Sequence, residues 1–249
     1  MIRRFTWDIV YYESLHSSNS LMFDQVSQNP TIKEGYVLRT DFQTAGRGQI
    51  GNQWESEAGK NLLASIFLKP EISVEEQFLI SKVICLAMVE LLNEYDLEQV
   101  RIKWPNDIYV ADKKIAGILI QNMLQGKKVK STVIGIGLNI NQELFYSDAP
   151  NPTSLKLELK KELSVEKILI LLLDKLNNFY AKISLGQKTE IDNLYKFLLY
   201  RRNEIFTFRT GDGKTFDGSI TDVSKTGQLL IKTEETIRQF GFREIKYVL

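Results

Sequence analysis

Cysteine and histidine are almost missing from this chain: Cys85 and His16 are the only residues of their types among 249. One cysteine cannot close an internal disulfide, so nothing indicates an oxidising compartment. Cys85 lies in the apolar run LISKVICLAMVELL and reads as a small buried hydrophobe. Without further cysteine or histidine partners a zinc site has no ligand set, and any Ser-His-Asp mechanism would have to be built on His16. An excess of one charge is lacking too. Lys and Arg number 32 against 31 Asp and Glu, a formal net charge of +1, which offers no broad basic field for wrapping nucleic acid. Long hydrophobic runs are also absent. The longest aliphatic one is ILILLL at 168–173, against the roughly 18 apolar residues a membrane span needs. Ile9–Tyr12 is too short and too aromatic for a signal-peptide core. The expectation is a cytoplasmic protein with no membrane partner.

What is present is an ordinary globular composition, long enough for one large domain, alone or with a small appendage. SSNSLMFDQVSQ, from Ser17, predicts a capped helix with Leu21, Met22 and Val26 on one face. YVLRTDF, from Tyr36, predicts a strand feeding a glycine-rich loop, and NLLASIFL at 61–68 predicts a central strand. Ser73 opens a capping box with Glu76, and Leu79 to Leu92 follow at helical spacing. VRIKW, DIYV, KIAGILIQ and STVIGIGLNI read as four strands, with a hairpin at ADKKIA implying antiparallel pairing. Residues 147–163 read as a connection, followed by helices from Ser164 and from about Thr189 to Tyr200. After Arg201–Arg202, short β-like runs are split by Gly-Asp-Gly, Asp-Gly and Thr-Gly turns, which predicts a small β-barrel. Strands in runs rather than strict alternation favour an α+β architecture: a mixed, largely antiparallel sheet with helices packed on it. The division falls between residues 1–202 and 203–249.

The segment GRGQIG at 46–51 fits the letters G-x-G-x-x-G. A dinucleotide fold would require a helix next, yet NQWESEAGKN is polar and broken by Gly59, and no acidic residue closes a following strand. A phosphate loop of the Walker type fails as well, because Asn61 follows Gly59-Lys60. What remains is a loop whose glycines let the backbone approach a ligand while Arg47 supplies a planar charged fork and Trp54 a stacking face. Two further segments point to a ligand. In KWPND at 103–107, Pro105 holds Trp104 extended and turns the chain with Asn106 and Asp107 at the tip. Lys114 follows across the hairpin, where strand geometry could bring it to the same sheet end as Lys103; Lys113 reads as a solvated charge. In VIGIGLNIN, Gly135 and Gly137 mark a place where a ligand can lie against the sheet.

Taken together, QTAGRG at 43–48, KWPND at 103–107, KKIAGIL at 113–119, IGIGLNIN at 134–141, SSN at 17–19 and the β-like tail closely resemble the biotin protein ligases, in order and spacing over essentially the whole length. The resemblance implies the biotin/lipoate ligase-like fold with an SH3-like C-terminal barrel. It implies an enzyme that joins biotin to ATP, with Mg²⁺, as biotinyl-5′-adenylate, then transfers biotin to one lysine of a biotin carboxyl carrier domain. By resemblance Arg47, Lys103 and Lys114 are catalytic cations. Ser17, Ser18, Asn19, Gln43, Arg47, Gly48, Gln49, Lys114 and Gly117 bind biotin. Gln49, Ile50, Trp54, Asn106 and Asn139 bind the nucleotide, and Asp107 orients a lysine or the metal. Barrier lowering in such a reaction is mainly charge stabilisation between two anions, which these cations and loop amides suit.

Two positions depart from the family pattern. His16 stands where many relatives have Asp, and Gln49 where many have Arg. Some relatives carry an N-terminal DNA-binding helix-turn-helix; about 16 strand-like residues precede SSN here, so no DNA partner is expected, while a homodimer is admitted. The rival readings are a lipoate ligase or octanoyltransferase of the same fold and a catalytically inactive ligand-binding scaffold.

Overall fold

Alternation along the central strands decides which side chains enter the core. In the computed structural model, which describes residues 6–48, 53–147 and 151–248, strand β7 (Lys128–Leu138) sends Ile134, Ile136 and Leu138 into the main hydrophobic cluster. Val133 packs in a second, smaller cluster on the opposite face, so Gly135 and Gly137 share that face. Strand β3 (Leu62–Leu68) behaves likewise, with Ile66 in the large cluster and Phe67 in the small one. Every residue of β3 is buried because both faces are covered, which is why NLLASIFL reads as a nearly unbroken apolar run.

These two strands sit at the centre of a seven-stranded sheet. Strands β1 (Asp8–Leu15) and β2 (Tyr36–Gln43) lie beyond β3; β6 (Lys113–Gln125), β5 (Asp107–Val110) and β4 (Val100–Lys103) lie beyond β7. Only β1 and β2 pair in parallel, so the sheet is mixed and largely antiparallel as expected. Helix α1 (Ser18–Gln28) covers the face with the smaller cluster, inserting Met22 against Leu38, Phe67 and Val133. Its N-cap is Ser17, whose hydroxyl accepts from Ser20 N–H. Helices α2 (Phe78–Asn93), α4 (Val165–Ser184) and α5 (Lys188–Phe197) cover the other face.

Local signals misplace three features. The Ser73 capping box belongs to a 3₁₀ turn, Val74–Glu76, and α2 begins only at Phe78, after Gln77 carries the chain through in helical conformation. The connection after residue 147 contains a short helix, α3 (Leu155–Leu159), capped by Ser154 and closed by Lys160 at φ 57°. Helix α5 ends at Phe197, three residues early, because Tyr200 N–H and Leu198 C=O instead bond Ile102 of β4.

The C-terminal residues form a five-stranded antiparallel sheet, consistent with an SH3-like barrel: β8 (Ile205–Thr210), β9 (Thr215–Val223), β10 (Leu229–Lys232), β11 (Ile237–Phe240) and β12 (Ile245–Tyr247), in the order β11-β10-β9-β8-β12. This sheet is packed into the rest of the molecule. Trp104 donates its indole N–H to Gly227 C=O at 2.9 Å and its ring lies 5.4 Å from Phe242. Gly227 adopts φ 94°, and a Cβ there would sit 2.7 Å from the Phe78 ring, so only glycine fits this joint. A charged chain also crosses it: Lys82 pairs with Asp192, Asp192 with Lys196 at 2.7 Å, and Lys196 with Asp222 at 2.7 Å.

Candidate ligand-binding and catalytic site

The parallel pairing of β1 and β2 brings the first two motifs together. Leu15 is in register with Gln43, so Ser17–Asn19 and the loop from Gln43 leave the sheet at the same end. Register brings the other motifs to the same place. Lys103 pairs with Asp107, Asp107 with Gly117, Gly117 with Gly137, and Gly137 with Leu63. One row across the sheet thus carries a residue from each of KWPND, KKIAGIL and IGIGLNIN. The row borders a cavity of about 860 Å³, which also takes in Ser17, Ser18, Asn19, Gln43, Arg47, Gly48, Trp54 and Lys114. A larger cleft of about 1200 Å³, lined by Lys33, Lys69, Lys127 and Lys128, lies at the far end of β3 and β7 and contains none of the motif residues.

The closed end of the cavity is polar and tightly bonded. Ser18 N–H donates to Gln43 Oε1 at 2.7 Å, which leaves the Gln43 amide Nε2 as the group available to donate to a ligand. Asn19 Nδ2 donates to Gln121 Oε1 at 2.7 Å, which leaves Asn19 Oδ1 as an acceptor. Ser65 Oγ lies 2.8 Å from Ser18 Oγ and donates to Asn19 Oδ1 at 3.4 Å. Gly135 is required here because a Cβ would lie 2.9 Å from Asn19 Oδ1. A donor and an acceptor lining the same end of one cavity match a ligand that presents both a C=O and an N–H, as a cyclic urea does.

Trp54 roofs the middle of the cavity. Its indole lies on the cross-strand pair Gly117 and Gly137, where added Cβ atoms would sit 2.8 and 2.3 Å from the ring. The loop's return is fixed by Trp54 N–H donating to Gly46 C=O at 3.0 Å and by an Arg47–Gln53 bridge. Glu55 anchors the next segment by accepting from Tyr146 and Ser147 N–H at 2.9 and 2.8 Å. Burial pushes its carboxyl up, and these hydrogen bonds outweigh that and bring it below the usual glutamate range.

Cations collect at the open end. Lys114 Nζ pairs with Asp107 Oδ1 at 2.8 Å and lies 5.7 Å from the Trp54 ring. Lys103 donates to Tyr109 Oη at 3.0 Å. Burial lowers its pKa to about 8, with Asp107 opposing and Lys114 adding to the effect. Arg47 is exposed at the rim. The site can therefore place positive charge around an anion in partly desolvated surroundings, where such charge is most effective. Among the described residues no cluster of three or more His, Cys, Asp or Glu could hold a metal ion; Asp107, the residue expected to orient a lysine or a metal, orients a lysine.

Other expected residues are placed differently. Asn106 is buried rather than exposed at a turn, donating to Ile118 C=O while its own C=O accepts from Ile118 N–H at 3.2 Å. Asn139 is 3% exposed and donates to Thr153 C=O at 2.9 Å. Neither borders the cavity; both hold backbone beneath it, although Asn139 Oδ1 has no hydrogen-bond partner. Lys113 is largely exposed, as expected, and pairs with Glu158 at 3.0 Å. His16 is exposed, with Nδ1 3.2 Å from Thr44 Oγ1. Gln49 and Ile50 lie outside the described residues. Sequence reasoning missed Ser65, Gln121, Tyr109 and Tyr247. The lone serine in LLASIFL was a legible signal for the first; the others are visible only through the register of β5 and β6 and the approach of β12.

Comparison with known proteins agrees with this geometry. Residues 11–139 match the model of the Biotin/lipoate A/B protein ligase family. The chain is 28% identical over 243 residues to the bifunctional ligase/repressor BirA of Bacillus subtilis, covering 96% of this chain and 73% of that one. It is 27% identical over 196 residues to the biotin–[acetyl-CoA-carboxylase] ligase of Paracoccus denitrificans, covering 76% and 81%. The biotin protein ligase from Aquifex aeolicus, solved in complex with biotin and ATP, superposes with a TM-score of 0.78 at 24% identity over 96% of this chain and 97% of that one. The match to the family model spans more than half of the residues and includes the row from Lys103 to Gly137 that borders the cavity, so the chain belongs to the biotin/lipoate A/B protein ligase family.

Proposed function

We propose that this protein is an ATP-dependent biotin–protein ligase. A biotin carboxylate oxygen attacks the α-phosphorus of ATP, the bond to the β-phosphate bridging oxygen breaks, and biotinyl-5′-adenylate and pyrophosphate result. The ε-amine of a carrier-domain lysine then attacks the acyl carbon, AMP leaves, and an amide remains. The observation that carries this reading is the pairing of two unlike ends in one cavity: a donor–acceptor pair suited to a cyclic urea, and a cationic end holding Lys103, Lys114 and Arg47. Between the two ends the Trp54 indole lies on Gly117 and Gly137, so a tail would run past the edge of that ring.

In this reading Asn19 Oδ1 accepts from a ureido N–H, and Gln43 and the Ser17 and Ser18 hydroxyls bond the remaining edge of the head. Lys114, aimed by Asp107, offsets the repulsion between carboxylate and phosphate as they approach, with Arg47 and Lys103 beside it. Trp54 separates the acyl portion from the adenine and offers a face to the base, and Asn139 supports the nucleotide side from below by holding the Thr153 backbone. Among the described residues Asp107 is the only carboxylate bordering the cavity, so a magnesium ion fits as one carried in by the triphosphate and held mainly by its oxygens. We take residues 1–202 as the ligand-binding domain and 203–249 as the smaller unit. The remaining parts of the reading are a cytoplasmic location, a biotin carboxyl carrier domain as protein substrate, no nucleic-acid partner given a net charge of +1, and a homodimer, for which β1 leaves one sheet edge open.

The test is incubation with biotin, ATP, magnesium and a carrier domain, following pyrophosphate release and the mass of the carrier. Biotin-dependent release with modification of one carrier lysine is expected. Turnover with lipoate or an octanoyl donor instead would favour the sister activity, and ligand binding without pyrophosphate release would favour an inactive scaffold.

A further inference from the structure

The reaction above uses Lys103 but leaves unexplained how a half-buried lysine is held at the cavity. Its ammonium donates to Tyr109 Oη at 3.0 Å and faces the ring of Tyr247, which comes from a distant part of the chain. Nζ lies 4.7 Å from the Tyr109 ring centroid and 5.0 Å from that of Tyr247. Tyr109 belongs to β5 and is fully buried. Tyr247 belongs to β12, in register with Phe208 of β8, and Val248 N–H donates to Thr207 C=O at 3.1 Å. Tyr200 braces both rings, with centroids 5.3 Å from Tyr109 and 6.1 Å from Tyr247. Its hydroxyl donates to Asp112 at 2.6 Å. The same approach of β12 brings Ile245 and Lys246, with Arg243 before them, to the cavity border.

We propose that Tyr247 is a positioning residue for Lys103: its ring, paired with that of Tyr109, walls the ammonium from bulk water and aims it at the cavity, making the C-terminal sheet part of the ligase site. The ring carries this role, because Tyr247 Oη is buried and has no hydrogen-bond partner. Two opposing effects act on the ammonium. An aromatic face attracts a cation, while exclusion of water disfavours its charged form. Exclusion is the larger, since Lys103 titrates at about 8 instead of in the usual lysine range. The charged groups facing it are Asp107 and Lys114 from the main sheet, with Arg47 at the rim and Arg243 and Lys246 bordering the same cavity from the C-terminal side. Because the reaction needs Lys103 charged, activity should fall as pH rises through about 8 in the ligand-free enzyme.

This inference rests on the ligase reading for its consequence but not for its first measurement. Lys103 is labelled with an amine-reactive acylating reagent across a pH series in the full-length protein without substrates, and its peptide is quantified by mass spectrometry. The wild type should titrate near 8, and Tyr247→Phe should match it. Tyr247→Ala admits water and should raise the value by about one unit. Tyr247→Leu keeps water out but removes the aromatic face and should lower it. The basic limb of kcat/KM for pyrophosphate release should move with these values, and kcat of Tyr247→Ala should drop about tenfold with little change in KM for biotin. Titration of Lys103 unchanged in both the Ala and Leu variants would overturn the proposal; should the Ala variant fail to fold, the Leu variant decides alone. Shifted labelling in a protein that releases no pyrophosphate would fault the ligase reading and leave the placement of Tyr247 standing.

Discussion

At the scale of single residues, the chemistry depends on a few polar contacts whose partners differ in replaceability. Lys114 is held at the cavity by its ion pair with Asp107. Lys114→Ala should slow adenylate formation by about 10²–10³-fold, the cost of deleting one preorganised charge-stabilising group; near-normal pyrophosphate release at saturating substrate would remove Lys114 from the chemistry. Gln121 acts earlier, on binding. Its Oε1 decides which end of the Asn19 amide faces the ligand, so Gln121→Ala should raise KM for biotin about tenfold, roughly one buried hydrogen bond, with kcat little changed. Gln121→Glu keeps an acceptor in place and should restore most of the affinity. Steady-state kinetics of both variants tests this, and an Ala variant with unchanged KM would show that Asn19 orients itself. Ser65 stands out as the one polar residue of an apolar strand, whereas Gln121 is hard to single out in a sequence, because a glutamine in a strand says nothing of what lies across the sheet.

At the scale of elements, the glycines in IGIGL have a use that alternation makes clear. Ile134, Ile136 and Leu138 hold β7 in the core, so the intervening positions are free to be small where Trp54 lies. Gly137→Ala would place a methyl group 2.3 Å from the Trp54 ring. The indole must then lift, since the backbone beneath it is paired on both sides with β3 and β6. The expected outcome is a folded protein with altered tryptophan fluorescence and adenylate formation reduced at least tenfold, equivalent to about 1.4 kcal/mol. Unchanged emission together with full activity would show that Trp54 is not seated on that glycine when it works. The helix expected from Ser73 makes a contrasting case. The capping box is a local signal and is present, but the start of β7 and the residue before it bond the same segment, through a Ser73–Lys128 bridge and Val74 N–H to Lys127 C=O, and the turn tightens before α2 starts.

At the scale of the whole molecule, the joint between the two sheets carries both packing and charge. Lys82 is 4% exposed and pairs with Asp192, which also holds Lys196 and through it Asp222 of β9. Burial pushes the Asp192 carboxyl up, and the hydrogen bonds from Lys196 and Lys82 outweigh it, leaving the group below the usual aspartate range. A carboxyl depressed in the folded state stabilises above its unfolded pKa of about 3.9, and that stability is lost as pH falls through the folded value. Asp192→Ala should destabilise the protein by about 2–3 kcal/mol at pH 7, at or below the lower end for breaking a buried pair because Asp192 itself is partly exposed. The difference from wild type should shrink at a strongly acid pH, well below the usual aspartate range, where the carboxyl protonates. Denaturant titrations at the two pH values check this; an equal difference at both would assign the effect to packing alone.

Composition and pattern by themselves excluded zinc, disulfides and an extended basic surface, placed most of the strands and helices, and picked out QTAGRG, KWPND, KKIAGIL and IGIGLNIN as motifs, because periodicity and turn chemistry act over a few residues. Tertiary structure decided what those motifs do together. The row Lys103–Asp107–Gly117–Gly137 exists only through strand register, which depends on pairings between segments far apart in the chain. The same holds for Asn106, a solvated tip by local rules and a buried backbone clasp in the fold. It holds most for Tyr247, close to the end of the chain, which stands beside Lys103 only because the C-terminal sheet packs against β4 and β5.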